Sequence, residues 1–193
     1  MQKKVVSNAF HLFLLQVLNN ILPLVTIPFL VQVLGADSFG ILAFSQVVGG
    51  YLVVISDYGF NLSITRLISL NRDKPEKCAT IFNQVITLKV LMLSTLCFVF
   101  TPFIFLFDSL YAYKEVYFLT FFLSLGNVLF PIWYFQGMQK MNYILWPNAI
   151  SKVISTIPIL FLVRQSNDLE LAVLFNVLGA LISGILGLYL AFK

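Results

Sequence analysis

The chain alternates six long apolar blocks with short polar breaks, over roughly residues 8–33, 41–64, 79–107, 115–135, 143–163 and 171–192. Each block approaches or exceeds the ~20 apolar residues a helix needs to cross a hydrocarbon layer about 30 Å thick. Strands of a membrane barrel would show instead as alternating segments of ~10 residues. The pattern predicts an all-α polytopic membrane protein of six transmembrane helices. The breaks are short, so consecutive helices are expected to be antiparallel neighbours.

Polar residues inside the blocks recur at helical spacing. In the first, Gln16, Asn19, Asn20 and Pro23 fall on one face, and Pro23 and Pro28 are expected to bend the helix. The second block closes on Asp57-Tyr-Gly-Phe-Asn61, and Asp57, Asn61 and Thr65 would stack on one side of a continuous helix, with Arg66 at the water boundary. An aspartate at mid-depth costs about 2.5–3.5 kcal/mol on insertion scales, so this stripe should face other helices or a wet cavity. Lys89 lies about 15 Å inside the third block, among Val85, Ile86, Leu93 and Leu96. It should face a cavity or meet an anion from another helix, with Asp57 as a candidate. Ser124, Asn127 and Pro131 share a face in the fourth block, and Asn148, Lys152 and Ser155 share one in the fifth. Lys152 reads as shallower than Lys89 and able to reach the interface. The sixth block carries Asn176, Gly179, Ala180, Ser183, Gly184 and Gly187, a small-residue ridge expected to serve close helix packing.

The breaks have readable chemistry. Leu34-Gly-Ala-Asp-Ser-Phe-Gly40 reads as a turn, and Pro75 should open the helix after Asp73-Lys74. Tyr111, Tyr113, Tyr117, Trp133 and Tyr134 suit the membrane–water belt.

Composition agrees. The chain is 60% hydrophobic and only 10% charged, with mean hydropathy +0.94, whereas a soluble domain carries about 25% charged residues. The net charge of +4 does not point to nucleic acid, because the cations are spread over membrane boundaries. An N-terminus in the cytoplasm would place Lys3, Lys4, Arg66, Arg72, Lys74, Lys77, Lys140 and Lys193 inside, against Lys114 and Arg164 outside. Both termini are therefore expected to be cytoplasmic. The basic start resembles a signal peptide, but the block after it is too long and lacks an Ala-x-Ala site, so it reads as a retained first span. Cys78 and Cys97 would lie about 28 Å apart on one helix, too far for a disulfide.

The remaining chemistry is sparse. His11, the single histidine, reads as packed or interfacial. Gly35 and Gly40 fit no phosphate-binding loop, and Asp73 with Glu76 reads as solvated surface rather than a metal pair. Soluble nucleotide hydrolysis is excluded, no metal or cofactor is expected, and an integral membrane enzyme has few groups to work with. Polar stripes on four helices and a deep lysine are what a transport cavity between helices requires. Its candidate lining is Asn19, Asn20, Asp57, Asn61, Arg66, Lys89, Asn127, Asn148 and Lys152.

Three stretches together resemble a known family: residues 34–40, residues 57–61, and Pro131-Ile-Trp-Tyr-Phe-Gln-Gly-Met-Gln-Lys-Met141. They are similar to the polysaccharide transporters that flip lipid-linked O-antigen units, within the multidrug/oligosaccharidyl-lipid/polysaccharide exporter superfamily. Asn19-Asn20 with Pro23 and Pro28 adds to the likeness. The resemblance implies one six-helix lobe of a two-lobe, V-shaped flippase. Its substrate would be an undecaprenyl-pyrophosphate-linked oligosaccharide, moved across the bacterial inner membrane. It implies Arg66, Lys89 and Lys152 as cationic lining, with Asp57 as charge partner or coupling residue. Membrane lipids, a second six-helix half and the O-antigen polymerase machinery are the implied partners. The second lobe is absent, so a truncated chain unable to flip substrate alone is expected. A drug or amphiphile exporter of the same superfamily and a non-transporting scaffold for glycan assembly stay open as alternatives.

Overall fold

The computed structural model describes residues 2–193, without the side chains of residues 2–9, 11, 12 and 18. The readings of His11, Lys3 and Lys4 therefore lie outside the described side chains. Among the described residues the chain is all-helical and has no strands. Its helices are α1 (Gln2–Asp57), α2 (Phe60–Leu70), α3 (Pro75–Leu106), α4 (Asp108–Tyr111), α5 (Lys114–Leu129), α6 (Ile132–Gly137), α7 (Asn142–Leu162) and α8 (Leu169–Phe192). A single 3₁₀ turn, Ser166–Asp168, precedes α8. Five of these segments are long and apolar enough to cross a membrane, and the first runs from Phe13 to Asp57.

That first segment is not one rod. Gly35 takes φ 76° and ψ 169°, a conformation close to glycine-only, and interrupts α1. On a straight helix Asn19 and Gly50 would lie about 46 Å apart, yet both line one cavity of about 500 Å³. The arms 2–34 and 36–57 therefore fold back on each other at Gly35. A turn was expected over residues 34–40. One glycine does the work instead, because helical hydrogen bonding resumes at once and only a single φ/ψ pair has to leave the helical region.

Two other expected spans are also split. Tyr58 (φ 40°) and Gly59 (φ 79°) end α1, so the block expected to continue to residue 64 divides between α1 and α2. Pro131 divides the block expected over 115–135, since it cannot donate to the preceding turn. Pro75 opens α3, as its position in the sequence implied.

α8 is the axis of the bundle, packed between α5 and α7, while α1 covers α5, α7 and α3. The small-residue ridge explains how the backbones come so close. A Cβ built on Gly126 would fall 2.5 Å from the carbonyl carbon of Ala180, and one on Gly184 would fall 2.6 Å from the carbonyl oxygen of Gly126. With no side chain between them, α5 and α8 gain dispersion contact along their length.

The two ends of the bundle differ in charge. The Gly35 end gathers Leu34, Leu42, Val116, Val163 and Leu169 into an apolar cap, and its neighbouring loops carry Lys114 and Arg164. The opposite end packs Ile68, Cys78, Phe82, Val85 and Trp133, and it carries Arg66 on α2, Lys77 on α3, and Arg72, Lys74, Lys140 and Lys193 outside the helices. Trp133 is fully buried there against Phe82 and Tyr134, and Tyr117 is buried too. Both were expected in the interfacial belt. Folding of α6 beneath α2 and α3 draws the indole inside instead. Both cysteines are free.

Candidate functional site

The deepest charges form a pair. Lys89 Nζ on α3 lies 2.5 Å from Asp57 Oδ1 at the end of α1, with side-chain exposures of 3% and 16%. Mutual neutralisation is what makes two such charges tolerable away from water. Asp57 also accepts a hydrogen bond from Asn61 Nδ2, across the break at Tyr58–Gly59. The expected single stripe of Asp57, Asn61 and Thr65 therefore spans two helices. Thr65 Oγ1 continues it, donating to the Asn61 carbonyl at 2.5 Å and lying 3.2 Å from the Trp133 carbonyl. Asn61 Oδ1 is buried without a hydrogen-bond partner among the described residues.

The pair borders the cavity of about 500 Å³, which Asn19, Gln46, Asn61, Asn127, Asn148 and Ser183 also line. A second cavity, about 370 Å³, shares Asn19, Gln46, Asn127, Asn148 and Ser183 and adds Ser151, Lys152, Ser155 and Asn176. A third, about 480 Å³, shares Gln46, Lys152, Ser155 and Asn176 and reaches Pro23, Thr26 and Leu30 toward the Gly35 end. Shared walls make the three one groove along the inner faces of α1, α5, α7 and α8, with its polar side chains concentrated in the middle cavity.

Its amides are oriented alike. Nδ2 of Asn127, Asn148 and Asn176 donates to the carbonyl four residues earlier, of Leu123, Ile144 and Ala172, at 3.0, 2.7 and 2.9 Å. Each amide thereby spends one N–H on its own helix, leaving its carbonyl oxygen and second N–H for a ligand. Such a wall suits hydroxyl groups, which both donate and accept.

Lys152 stands apart. It lies ten residues from either end of α7, about 15 Å, and so nearer a helix end than Lys89, which lies fourteen residues into α3. It is half-buried, lines two of the cavities, and among the described residues has no carboxylate at ion-pair distance.

The structure brings together Asn19, Asp57, Asn61, Lys89, Asn127, Asn148 and Lys152 along this groove. Asn20 and Arg66 are exposed and lie outside all three cavities. Sequence reasoning missed Gln46 and treated Asn176 and Ser183 as packing only. A signal existed for Gln46. It precedes Asp57 by eleven residues, about three turns, and so shares its face.

The sequence matches the family described as "Polysaccharide biosynthesis protein" over residues 5–193. A relative from Escherichia coli (strain K12), named "Putative O-antigen transporter", is 33% identical over 183 residues, covering 94% of this chain and 44% of its own length. One of the same name from Shigella dysenteriae is 29% identical over 187 residues, covering 97% of this chain and 47% of its own length. The chain thus spans less than half the length of these curated relatives. No solved structure matches it.

Proposed function

The chain belongs to the polysaccharide biosynthesis protein family, and we propose that it forms a six-span lobe of a flippase for lipid-linked O-antigen or related polysaccharide units. It is a multi-pass membrane protein, and its relatives' names describe transporters rather than enzymes. The observation that carries the reading is the continuous groove, most polar in its middle, where Asn19, Gln46, Asn127, Asn148 and Asn176 converge, and more apolar toward the Gly35 end. Helices that only pack together do not leave a row of amides facing open space. A glycan requires such a row, and the outer faces of the same helices suit its prenyl chain.

The remaining features fit this reading. The two arms of α1 are about 50 and 33 Å long, so each suffices for one crossing. With α3, α5 plus α6, α7 and α8 this makes six spans. The excess of cations at the Arg72 end supports a cytoplasmic position for that end, and the proposed location is a bacterial inner membrane. In relatives about twice as long, the rest of the chain supplies a second lobe facing the groove. Undecaprenyl pyrophosphate is the proposed carrier, moved from the cytoplasmic to the periplasmic leaflet. Asn19, Gln46, Asn127, Asn148 and Asn176 meet the sugars.

The test uses single cysteines at positions 127 and 148 in a Cys78→Ala/Cys97→Ala background, labelled with a water-soluble maleimide. Membranes that make lipid-linked O-antigen should protect both positions, and membranes blocked in its synthesis should not. Equal labelling in the two membranes would overturn the reading.

A further inference from the structure

The cation-rich end of the bundle holds a small cavity that shares no residue with the groove. It measures about 120 Å³ and lies between the loop after α2, the first turns of α3, α6 and the end of α8. Arg72, Asn83 and Tyr134 form its polar wall, and Ala79, Phe82 and Phe192 face them. Ring contacts fix the apolar side, with Phe82 centred 5.1 Å from Tyr134 and 5.3 Å from Phe192.

The polar wall lacks an acceptor. Two nitrogens of the Arg72 fork hold the end of α6, donating to the Gly137 carbonyl and to Gln139 Oε1. Its Nε is buried with no hydrogen-bond partner among the described residues. Guanidinium is donor-only and keeps its charge, so a buried N–H left idle there is costly. The Asn83 amide and the Tyr134 hydroxyl likewise hydrogen-bond to nothing among the described residues. A cation and two neutral donors around one space call for an oxyanion. At about 30 Å³ per water-sized group, the cavity has room for about four such groups, which suits the oxygens of one phosphate.

We propose that this cavity holds the phosphate of an anionic membrane phospholipid, clamped between α3, α6 and α8. The proposal goes beyond the flippase reading and does not rest on it, since it needs only a chain in a membrane. A soluble phosphate offers the same oxygens, but the surroundings favour a lipid. Phe192, at the rim, is an exposed apolar ring that a glycerol and the start of an acyl chain would cover. Lys74, Lys77 and Lys193 are exposed neighbours of lining residues, and basic pockets of this kind between membrane helices select anionic headgroups. An anion on Nε also completes the fork that braces α6, so the lipid would stiffen this end of the bundle.

The experiment counts bound lipid on the detergent-solubilised 193-residue chain by native mass spectrometry. The probes are dioleoylphosphatidylglycerol, dioleoylphosphatidylcholine, dioleoylglycerol and inorganic phosphate. Phosphatidylglycerol should bind at one chain-saturating site and raise the melting midpoint, with phosphatidylcholine weaker and dioleoylglycerol weaker still. Arg72→Gln should weaken phosphatidylglycerol on the order of tenfold or more. Because Arg72 also braces α6, the deciding variants leave it in place. Ala79→Leu fills the cavity and should cost as much as Arg72→Gln, while Tyr134→Phe removes only a hydroxyl and should cost several-fold. Lys140→Gln, a charge at the same end outside the cavity, should have no effect. The site is overturned if Ala79→Leu and Tyr134→Phe both bind like the unaltered chain, or if Lys140→Gln costs as much as Arg72→Gln. Dioleoylglycerol or phosphatidylcholine binding as well as phosphatidylglycerol overturns the anionic phosphate as its ligand. Inorganic phosphate binding as tightly as the lipid overturns the lipid as its source.

Discussion

The Lys89 ammonium meets the Asp57 carboxylate at 2.5 Å, one residue before the chain turns left-handed at Tyr58 and Gly59. The pair therefore ties α3 to the end of α1 where the backbone is least constrained by helical bonding. Removing one partner strands the other charge, which costs about 3–5 kcal/mol in a buried setting. Lys89→Met and Asp57→Leu should each lower the midpoint of thermal unfolding in detergent sharply. The double variant should recover most of the loss, because no charge is then left alone. Additive losses in this cycle would show that the two groups do not act as a pair.

Close approach of α5 and α8 yields a second prediction. Gly126→Ala would place a methyl 2.5 Å from the Ala180 backbone, and Gly184→Ala would place one 2.6 Å from the Gly126 carbonyl oxygen. Backbone cannot step aside as a side chain can, so each should cost about 1–3 kcal/mol through overpacking. Gly40→Ala meets nothing within 4 Å and should be neutral or slightly stabilising. Thermal unfolding of the three variants side by side decides it, and equal midpoints would contradict the packing described.

These two cases show how much was legible beforehand. Block lengths gave the helices, because crossing a membrane leaves few other ways to satisfy the backbone. The ridge on α8 was legible because helical periodicity places Ala180, Gly184 and Gly187 on one face, at i, i+4 and i+7. The partner of Lys89 could only be named as a candidate, since distance between helices is not written in either helix. Asn19 and Asn20 were read together, yet adjacent residues point about 100° apart on a helix, and only Asn19 reaches the cavities. Arg66 was carried in with the groove, but the break at Tyr58–Gly59 re-aims α2 and leaves it exposed. Gln46 went unseen because one amide in an apolar block resembles noise until Asp57 is placed three turns later.

Gly35 should be irreplaceable for a conformational reason. Its Cβ position is open, so space is not the obstacle, but φ 76° with ψ 169° is hostile to any L side chain. Gly35→Ala should cost about 1–3 kcal/mol and loosen the fold-back of the two arms of α1. Hydrogen exchange over residues 22–47 should quicken in the variant and stay unchanged in Gly40→Ala. Unaltered exchange would mean that the bend is imposed by packing alone.

Arg72 joins α2 and α3 to the end of α6. Its guanidinium donates to the Gly137 carbonyl at 2.9 Å and to Gln139 Oε1 at 3.1 Å. A planar fork can reach both acceptors at once, whereas an ammonium on a flexible stem holds neither in place. Arg72→Lys should therefore resemble Arg72→Ala. Both should speed proteolysis in the loop at residues 138–141 by several-fold, with the melting midpoint falling by only about 1 kcal/mol equivalent. A lysine variant as resistant as the parent chain would reduce the contact to simple charge.

The groove makes a prediction with helical periodicity. On α7, Asn148, Ser151, Lys152 and Ser155 line the cavities, while Ile150, Val153 and Ile157 are exposed apolar residues on the outer side. Water in the groove would let a cysteine there ionise, and the thiolate is the reactive form. A lipid-facing cysteine stays protonated and out of reach of a hydrophilic reagent. Single cysteines at all seven positions, in a background free of Cys78 and Cys97, should label with a water-soluble maleimide in two classes. Positions 148, 151, 152 and 155 should react on the order of tenfold faster than 150, 153 and 157. Uniformly slow labelling would mean a dry, closed groove, and the amides of α5, α7 and α8 would then serve packing rather than passage.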